Sequence, residues 1–70
     1  MKITITSTEK ITVVDGSRVR VWNGITERGA KCLVFVHMIA VPNFEPNAEF
    51  ERELAEQLPP GQVVELRFIL

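Results

Sequence analysis

The first fourteen residues contain two segments rich in β-favouring side chains, separated by a polar run, a pattern that predicts short strands joined by a turn. Residues 2–6 interleave isoleucine with threonine, as expected for a half-buried strand. The polar residues 7–10 predict a turn, and residues 11–14 resume a strand composition. The pair Asp15–Gly16 accepts the positive φ angles of a tight hairpin turn. We therefore expect two short strands, followed by a hairpin.

Residues 17–22 alternate cleanly and predict a strand with two distinct faces. Val19 and Val21 lie on one face. The opposite face carries two cations and the single tryptophan, namely Arg18, Arg20 and Trp22.

The strand is expected to continue past Gly24, which we interpret as a bulge or bend, to a turn at residues 27–30 with Gly29 in the left-handed conformation. Residues 31–41 then carry apolar side chains on both faces, which predicts a strand that is covered on both sides. Pro42 should end it.

A helix and a last strand complete the predicted fold. Asn47 is a favourable N-cap, and an apolar stripe at helical spacing follows it, formed by Phe50, Leu54 and Leu58. Residues 59–61 should end the helix, and the alternation in residues 62–70 predicts a strand. The expected fold is a single α+β domain over residues 1–70, in the order β-β-β-β-α-β, with a small antiparallel sheet and the helix packed on one of its faces.

The size of the chain limits what it can bury by itself. It has 70 residues and one cysteine, so no internal disulfide can support its core. One helix covers only part of one sheet face, and a second copy of the chain would cover the other. We therefore expect a homodimer, packed sheet to sheet or edge to edge. The N-terminus lacks the apolar stretch of a signal peptide and no apolar run reaches membrane-spanning length, so we expect a soluble cytoplasmic protein without membrane contact.

Charge is divided unevenly along the chain. Residues 1–44 hold six basic against three acidic side chains, a net charge of +3, whereas residues 45–70 hold six acidic against two basic, a net charge of −4. The predicted sheet is thus basic and the predicted helix acidic. A total of −1 is not that of a protein held to nucleic acid by charge alone.

The sequence offers little catalytic chemistry. Cys32 and His37 are the only cysteine and histidine, and five positions apart on one strand they would point to opposite faces. One histidine and one cysteine do not make a zinc site, and no phosphate-cradling glycine loop is present. We expect no catalysis, no metal and no cofactor. An enzyme assembled from Cys32 and His37 across a dimer interface is the weakest alternative.

Two groups of residues are candidate binding surfaces. The first is the strand face that offers two guanidinium groups for anions and an indole ring for stacking, formed by Arg18, Arg20 and Trp22. The second is a row of carboxylates at helical spacing, formed by Glu49, Glu53 and Glu56. An ordinary structural interpretation competes with each: arginine stems covering the tryptophan and pairing with glutamates, and a solvated helix face.

Three segments give the chain a resemblance to the small uncharacterised proteins encoded by phages and prophages of proteobacteria. These are residues 1–12, the run Arg20-Val21-Trp22-x-Gly24, and the run Phe50-Glu51-x-Glu53-Leu54. The resemblance implies a protein that binds and blocks a host protein, such as a defence system in the host cytoplasm. The first functional hypothesis is accordingly a homodimeric, non-catalytic interaction module with a host protein or itself as partner. The second is a binder of a small anionic ligand, a nucleotide or a nucleic acid through Arg18, Arg20 and Trp22.

Overall fold

The computed structural model describes residues 1–42, 47–56 and 59–70. Three strands form one antiparallel sheet in the order β1-β2-β3, with bounds β1 (Ile3–Val14), β2 (Ser17–Thr26) and β3 (Lys31–Val36). Two helices follow, α1 (Ala48–Glu56) and α2 (Leu66–Ile69). The predicted α+β class, the antiparallel sheet and the helix are confirmed, whereas the predicted strand number and order are not.

Both hairpin connections have the predicted backbone geometry. Asp15 and Gly16 adopt φ angles of 49° and 79°, the left-handed pair of a type I′ turn. At the second connection Gly29 has a φ of 90°, and its N–H donates to the carbonyl of Thr26 at 3.0 Å. The N–H of Thr26 in turn donates to the carbonyl of Ala30 at 2.9 Å. The turn chemistry of the sequence therefore places both strand reversals correctly.

The predicted turn at residues 7–10 is wrong, because these residues form a bulge inside one long strand. The pairing register shifts between Ser7 and Ile11, so three residues of β1 face Val21 alone. The hydroxyl of Thr8 donates to the carbonyl of Val21 at 2.5 Å and thereby satisfies a group that the bulge deprives of its ladder partner. The side chain of Thr8 thus helps to keep the polar residues 7–10 within the sheet.

The bulge expected at Gly24 is not found. Gly24 pairs in regular register with Ile5 on one side and Cys32 on the other. A β-carbon at this position would lie 2.7 Å from the sulfur of Cys32. The absence of a side chain at Gly24 therefore permits close packing rather than an irregular backbone.

The strand predicted over residues 31–41 ends at Val36 instead. Met38 and Ile39, which follow it, are 75% and 48% exposed, so the second half of this apolar run is not covered on both sides. An apolar run reports strand propensity and a tendency to be buried. It does not report how far a neighbouring strand remains available for pairing.

The strand predicted over residues 62–70 is also wrong. Val63 makes one isolated parallel bridge to Ile11, and the N–H of Val64 donates to the Ile11 carbonyl at 2.8 Å. Just before it, the N–H of Gly61 donates to the Glu9 carbonyl at 2.7 Å. These bonds fall on the bulged part of β1, where the ladder is irregular, and pairing does not extend further.

The chain then turns into α2, which lies against β1. Leu66 and Ile69, three positions apart, are the half-buried side chains of this short helix, and the N–H of Leu70 closes it by donating to the Leu66 carbonyl at 3.1 Å. The alternation in residues 62–70 predicted a strand, but the three-residue spacing of Leu66 and Ile69 also fits one turn of a helix.

The core lies on the central strand, on the face that the alternation assigned to Val19 and Val21. Val19 and Val21 are 7% and 1% exposed, and Thr12 opposite Val19 is fully buried. In α1 the carbonyl of Asn47 accepts the N–H of Glu51 at 2.9 Å, which places Asn47 at the predicted N-cap position. The predicted end of the helix stripe, at Leu58, lies outside the described residues. Across the described ranges, no helix has the length and apolar character needed to cross a membrane.

Candidate functional site

A groove of about 330 Å³ lies between α1 and the strand face that carries Arg20 and Trp22. This volume is at the lower end of the range for small-molecule sites. Phe50 and Leu54 from the helix stripe form one wall, and the floor comes from β1, β2 and β3. The complete lining is Ser7, Arg20, Trp22, Val36, His37, Ile39, Phe50, Glu53 and Leu54.

The structure brings two of the three residues of the predicted basic face into this groove. Arg20 and Trp22 are half-buried there, because alternate residues of β2 share a face. Arg18 is exposed and faces Val13 on β1, outside the groove lining. The predicted three-residue surface is therefore divided, because Arg20 and Trp22 lie in the groove and Arg18 lies outside it.

Trp22 carries an unusual polar feature. Its indole Nε1 is inaccessible to solvent and has no hydrogen-bond partner among the described residues. A buried N–H without an acceptor is unfavourable by about 1–3 kcal/mol relative to a satisfied one. An acceptor brought to this nitrogen would remove that penalty.

The acidic residues singled out in the sequence are not equivalent. Glu53 lines the groove, so a carboxylate and the guanidinium of Arg20 both belong to its lining. Glu49 is exposed and pairs with Arg52 along the helix, with Nη1 3.3 Å from Oε1. Glu56 belongs to α1, and its side chain lies outside the described part of the chain. The helix therefore presents mixed charge near Arg52 rather than an uninterrupted row of carboxylates.

A second, broader concavity of about 590 Å³ was not predicted from the sequence. It lies over the end of the sheet near the second hairpin. Its lining combines threonines of β1 with residues of β2 and β3, namely Thr4, Thr6, Asn23, Gly24, Ile25, Lys31, Cys32 and Leu33. The sequence predicted strands that contain Thr4, Thr6, Lys31 and Leu33, but which strands pair decides whether these residues meet in one concavity.

Cys32 and His37 are not brought together. Cys32 lines the broad concavity, whereas the exposed His37 lines the groove under α1. Within the described ranges, no three histidine, cysteine, aspartate or glutamate side chains cluster in a way that could hold a metal ion. A thiolate–imidazole pair within one chain has no support in this geometry.

The outer edge of β3 is the remaining feature with binding potential. In the sheet order β1-β2-β3 this strand is terminal, and the described residues provide no neighbour on its far side. Leu33, which belongs to this edge strand, is an apolar residue that water reaches, since it is 36% exposed. Sequence reasoning identified the strand as apolar on both faces but did not identify it as an edge.

No family model, no curated protein and no solved structure matches this chain.

Proposed function

We propose that this protein is a non-catalytic interaction module that acts as a homodimer. The observation that carries the proposal is the concentration of exposed apolar side chains on and after β3. A single copy leaves Leu33, Met38 and Ile39 in contact with water. Apolar surface of this kind is typical of a protein-binding face.

The small core gives self-association a physical reason. Among the described hydrophobic residues only Val19 and Val21 are buried, so the chain by itself removes little apolar surface from water. A standard interface covers about 800 Å² on each partner, which would add substantially to such a core. The same surface on both subunits meets itself in a twofold dimer, so one patch is sufficient.

The proposed target of the dimer is a host protein, for example a component of a defence system. This target is the one implied by the resemblance to small phage and prophage proteins. The surface that supports this is the acidic outer side of α1, where Glu49 and Glu51 are exposed in the first turn. A basic surface on a host protein would complement it.

Sedimentation velocity tests the homodimer directly. We expect a mass near twice 7.9 kDa at tens of micromolar, with dissociation on dilution. A single species of 7.9 kDa at every concentration would contradict the proposal. Replacing Met38 and Ile39 by serine should weaken the dimer, because both are exposed in the single copy.

Capture from a host lysate tests the acidic surface. Reversing two helix charges with Glu49→Lys and Glu53→Lys should abolish capture of the target. The matched control reverses the same number of charges outside the helix, with Glu9→Lys on β1 and Glu27→Lys on the hairpin, both of which are exposed. Equal loss in both double variants would show that total charge, rather than this surface, determines binding.

A second candidate function is the binding of an anionic ligand with an aromatic ring in the groove under α1. The specific observation in its favour is that Arg20 and Trp22 line one groove together with Phe50. Guanidinium and indole groups in one groove suit a phosphate attached to a flat ring.

Quenching of the single tryptophan by nucleotides measures this second function. Arg20→Gln should reduce affinity roughly tenfold, the scale of one charge-assisted hydrogen bond. Arg18→Gln is the matched control, because it removes a cation from the same strand face outside the groove. Identical effects of the two variants, or no quenching with the native chain, would reject the groove as a ligand site.

A further inference from the structure

The hydrogen bonds at the second hairpin fix which backbone groups of β3 point outward. The N–H and carbonyl of Thr26 both bond across the hairpin, to Ala30 and from Gly29. In an antiparallel ladder the residues of a strand alternate between bonding one neighbour and the other. Ala30 bonds to Thr26, so every second residue after Ala30 also directs its backbone groups toward β2. In β3 these are the even-numbered residues Cys32, Val34 and Val36.

An independent contact supports this phase. The Val21 carbonyl accepts the hydroxyl of Thr8 on β1, so odd-numbered residues of β2 direct their backbone groups toward β1. Even-numbered residues of β2 therefore face β3, and the register pairs them with even-numbered residues, for example Trp22 with Val34. The backbone groups of the odd-numbered residues of β3 consequently point away from the sheet. They are Lys31, Leu33 and Phe35.

This edge lacks the features that usually block pairing. Protected edges carry charged side chains, especially lysines, or prolines or bulges, or they are very short. Between Cys32 and Val36 there is no charged residue and no proline, and the pairing of β3 with β2 has no register shift. The only charged side chain on the strand is Lys31, at its beginning.

We propose that β3 pairs antiparallel with β3 of a second copy, giving a continuous six-stranded sheet with a twofold axis through Leu33. The proposal rests on the homodimer of the proposed function and specifies its geometry. Two residues that pair directly have their side chains on the same face of the sheet, so both residue numbers are odd or both are even. The twofold axis therefore passes through a residue and not between two residues.

The register follows from the requirement that the outward backbone N–H and carbonyl groups of β3 all form hydrogen bonds. With the axis at Leu33, this residue pairs with Leu33 of the second copy and Lys31 pairs with Phe35 of the second copy. All three outward residues then bond within the described strand. An axis at Val34 would instead require Lys31 to pair beyond the strand, at residue 37.

Charge and face geometry also suit a second copy as the occupant. Antiparallel pairing puts the two Lys31 side chains at opposite ends of the interface, each near an aromatic ring, so no like charges are opposed. The twofold axis is perpendicular to the sheet and preserves its faces. The broad concavity beside Lys31 and Leu33 therefore continues across the axis into that of the second copy.

Amide hydrogen exchange read by NMR tests the pairing without altering the chain. The outward amides of Leu33 and Phe35 should exchange roughly tenfold more slowly at millimolar than at low micromolar concentration, because only the dimer protects them. The amides of Cys32 and Val34 serve as internal controls, since they bond β2 in the single copy. The measured quantity is the rate ratio of Leu33 to Val34.

Sedimentation on the same samples separates the two levels of inference. A dimer whose Leu33-to-Val34 rate ratio is independent of concentration would overturn edge pairing and leave the homodimer intact. A monomer at all concentrations would overturn both.

Cross-linking tests the register. In a Cys32→Ser background, Leu33→Cys should give a disulfide-linked dimer under mild oxidation, because residues paired at the axis have α-carbons about 5.5 Å apart. Val34→Cys is the matched control and should remain unlinked, with α-carbons about 8 Å apart by the strand spacings. Linking of the Val34→Cys chain alone would overturn the axis at Leu33.

Discussion

The two outer edges of this three-stranded sheet are treated differently by the chain. On β1, the N–H groups of Gly61 and Val64 donate to the carbonyls of Glu9 and Ile11. On β3, no described residue occupies the outward groups, and the strand is short, regular and apolar. One edge is partly covered within the molecule, whereas no described residue covers the other.

The difference shows which edge of the sheet the residues after α1 cover in this small chain. The residues after α1 bridge the bulged middle of β1, where the ladder with β2 is disturbed. An irregular edge gains most from such a cover, because its backbone groups cannot all find partners in the sheet. A regular edge can instead be paired by another copy with full hydrogen bonding.

The largest expected effect comes from removing the cover on β1. Val64→Pro deletes the N–H that donates to Ile11 at 2.8 Å and leaves that carbonyl without its partner. We expect a loss of about 2 kcal/mol in the free energy of unfolding, measured by urea denaturation.

Val64→Ala is the control for the proline variant. It retains the N–H and shortens the half-buried side chain, so its effect should be smaller. Equal losses in the two variants would mean that side-chain packing, and not the backbone bond to Ile11, holds the last segment on β1.

The next effect concerns the bulge beneath that cover. The Thr8 hydroxyl donates to the Val21 carbonyl and also accepts the N–H of Lys10 at 3.2 Å. Thr8→Val removes both bonds at nearly constant volume and should cost about 1.5 kcal/mol of unfolding free energy. Thr8→Ser keeps the hydroxyl and should be closer to the native chain. A valine variant as stable as the serine variant would show that the bulge does not depend on this side chain.

This bulge also shows where sequence reasoning succeeds and where it fails. The hairpins at Asp15–Gly16 and Gly29 were predicted correctly, because positive φ angles are a local requirement with a clear residue preference. The polar run at residues 7–10 was read as a turn, because polarity usually ends a strand. Its place inside β1 depends on a bond to Val21, thirteen positions away, which no local pattern contains.

The candidate sites follow the same division. Alternation correctly put Arg20 and Trp22 on one face opposite the buried Val19 and Val21. It did not separate Arg18 from that pair, because the position of α1 over the sheet is a tertiary property. The edge of β3 was missed for a similar reason: an apolar strand has the same composition at the centre and at the edge of a sheet.

A third, smaller effect compares the two hairpins that hold the outer strands. Gly16→Ala and Gly29→Ala both place a β-carbon on a left-handed backbone, at φ angles of 79° and 90°, with no atom within 4 Å of it. Each should cost about 1 kcal/mol through backbone strain alone. Hydrogen exchange should localise the loss from Gly29→Ala in β3, the shorter strand. If Gly16→Ala increased exchange in β3 equally, the sheet would open as one unit.

The smallest effect on folding, and the most informative about the uncovered edge, is expected for Leu33→Lys. Leu33 is 36% exposed in the single copy, and a lysine stem can cover the same neighbours, so unfolding of a dilute sample should change by under about 0.5 kcal/mol. A charge on each copy at the proposed axis opposes its own equivalent, and the dimer dissociation constant should rise at least roughly tenfold. Ile25→Lys places the same charge on the same face but away from the edge, and it should leave the dimer largely intact. If instead Ile25→Lys dissociates the dimer and Leu33→Lys does not, the subunits meet face to face and the edge of β3 takes no part in the interface.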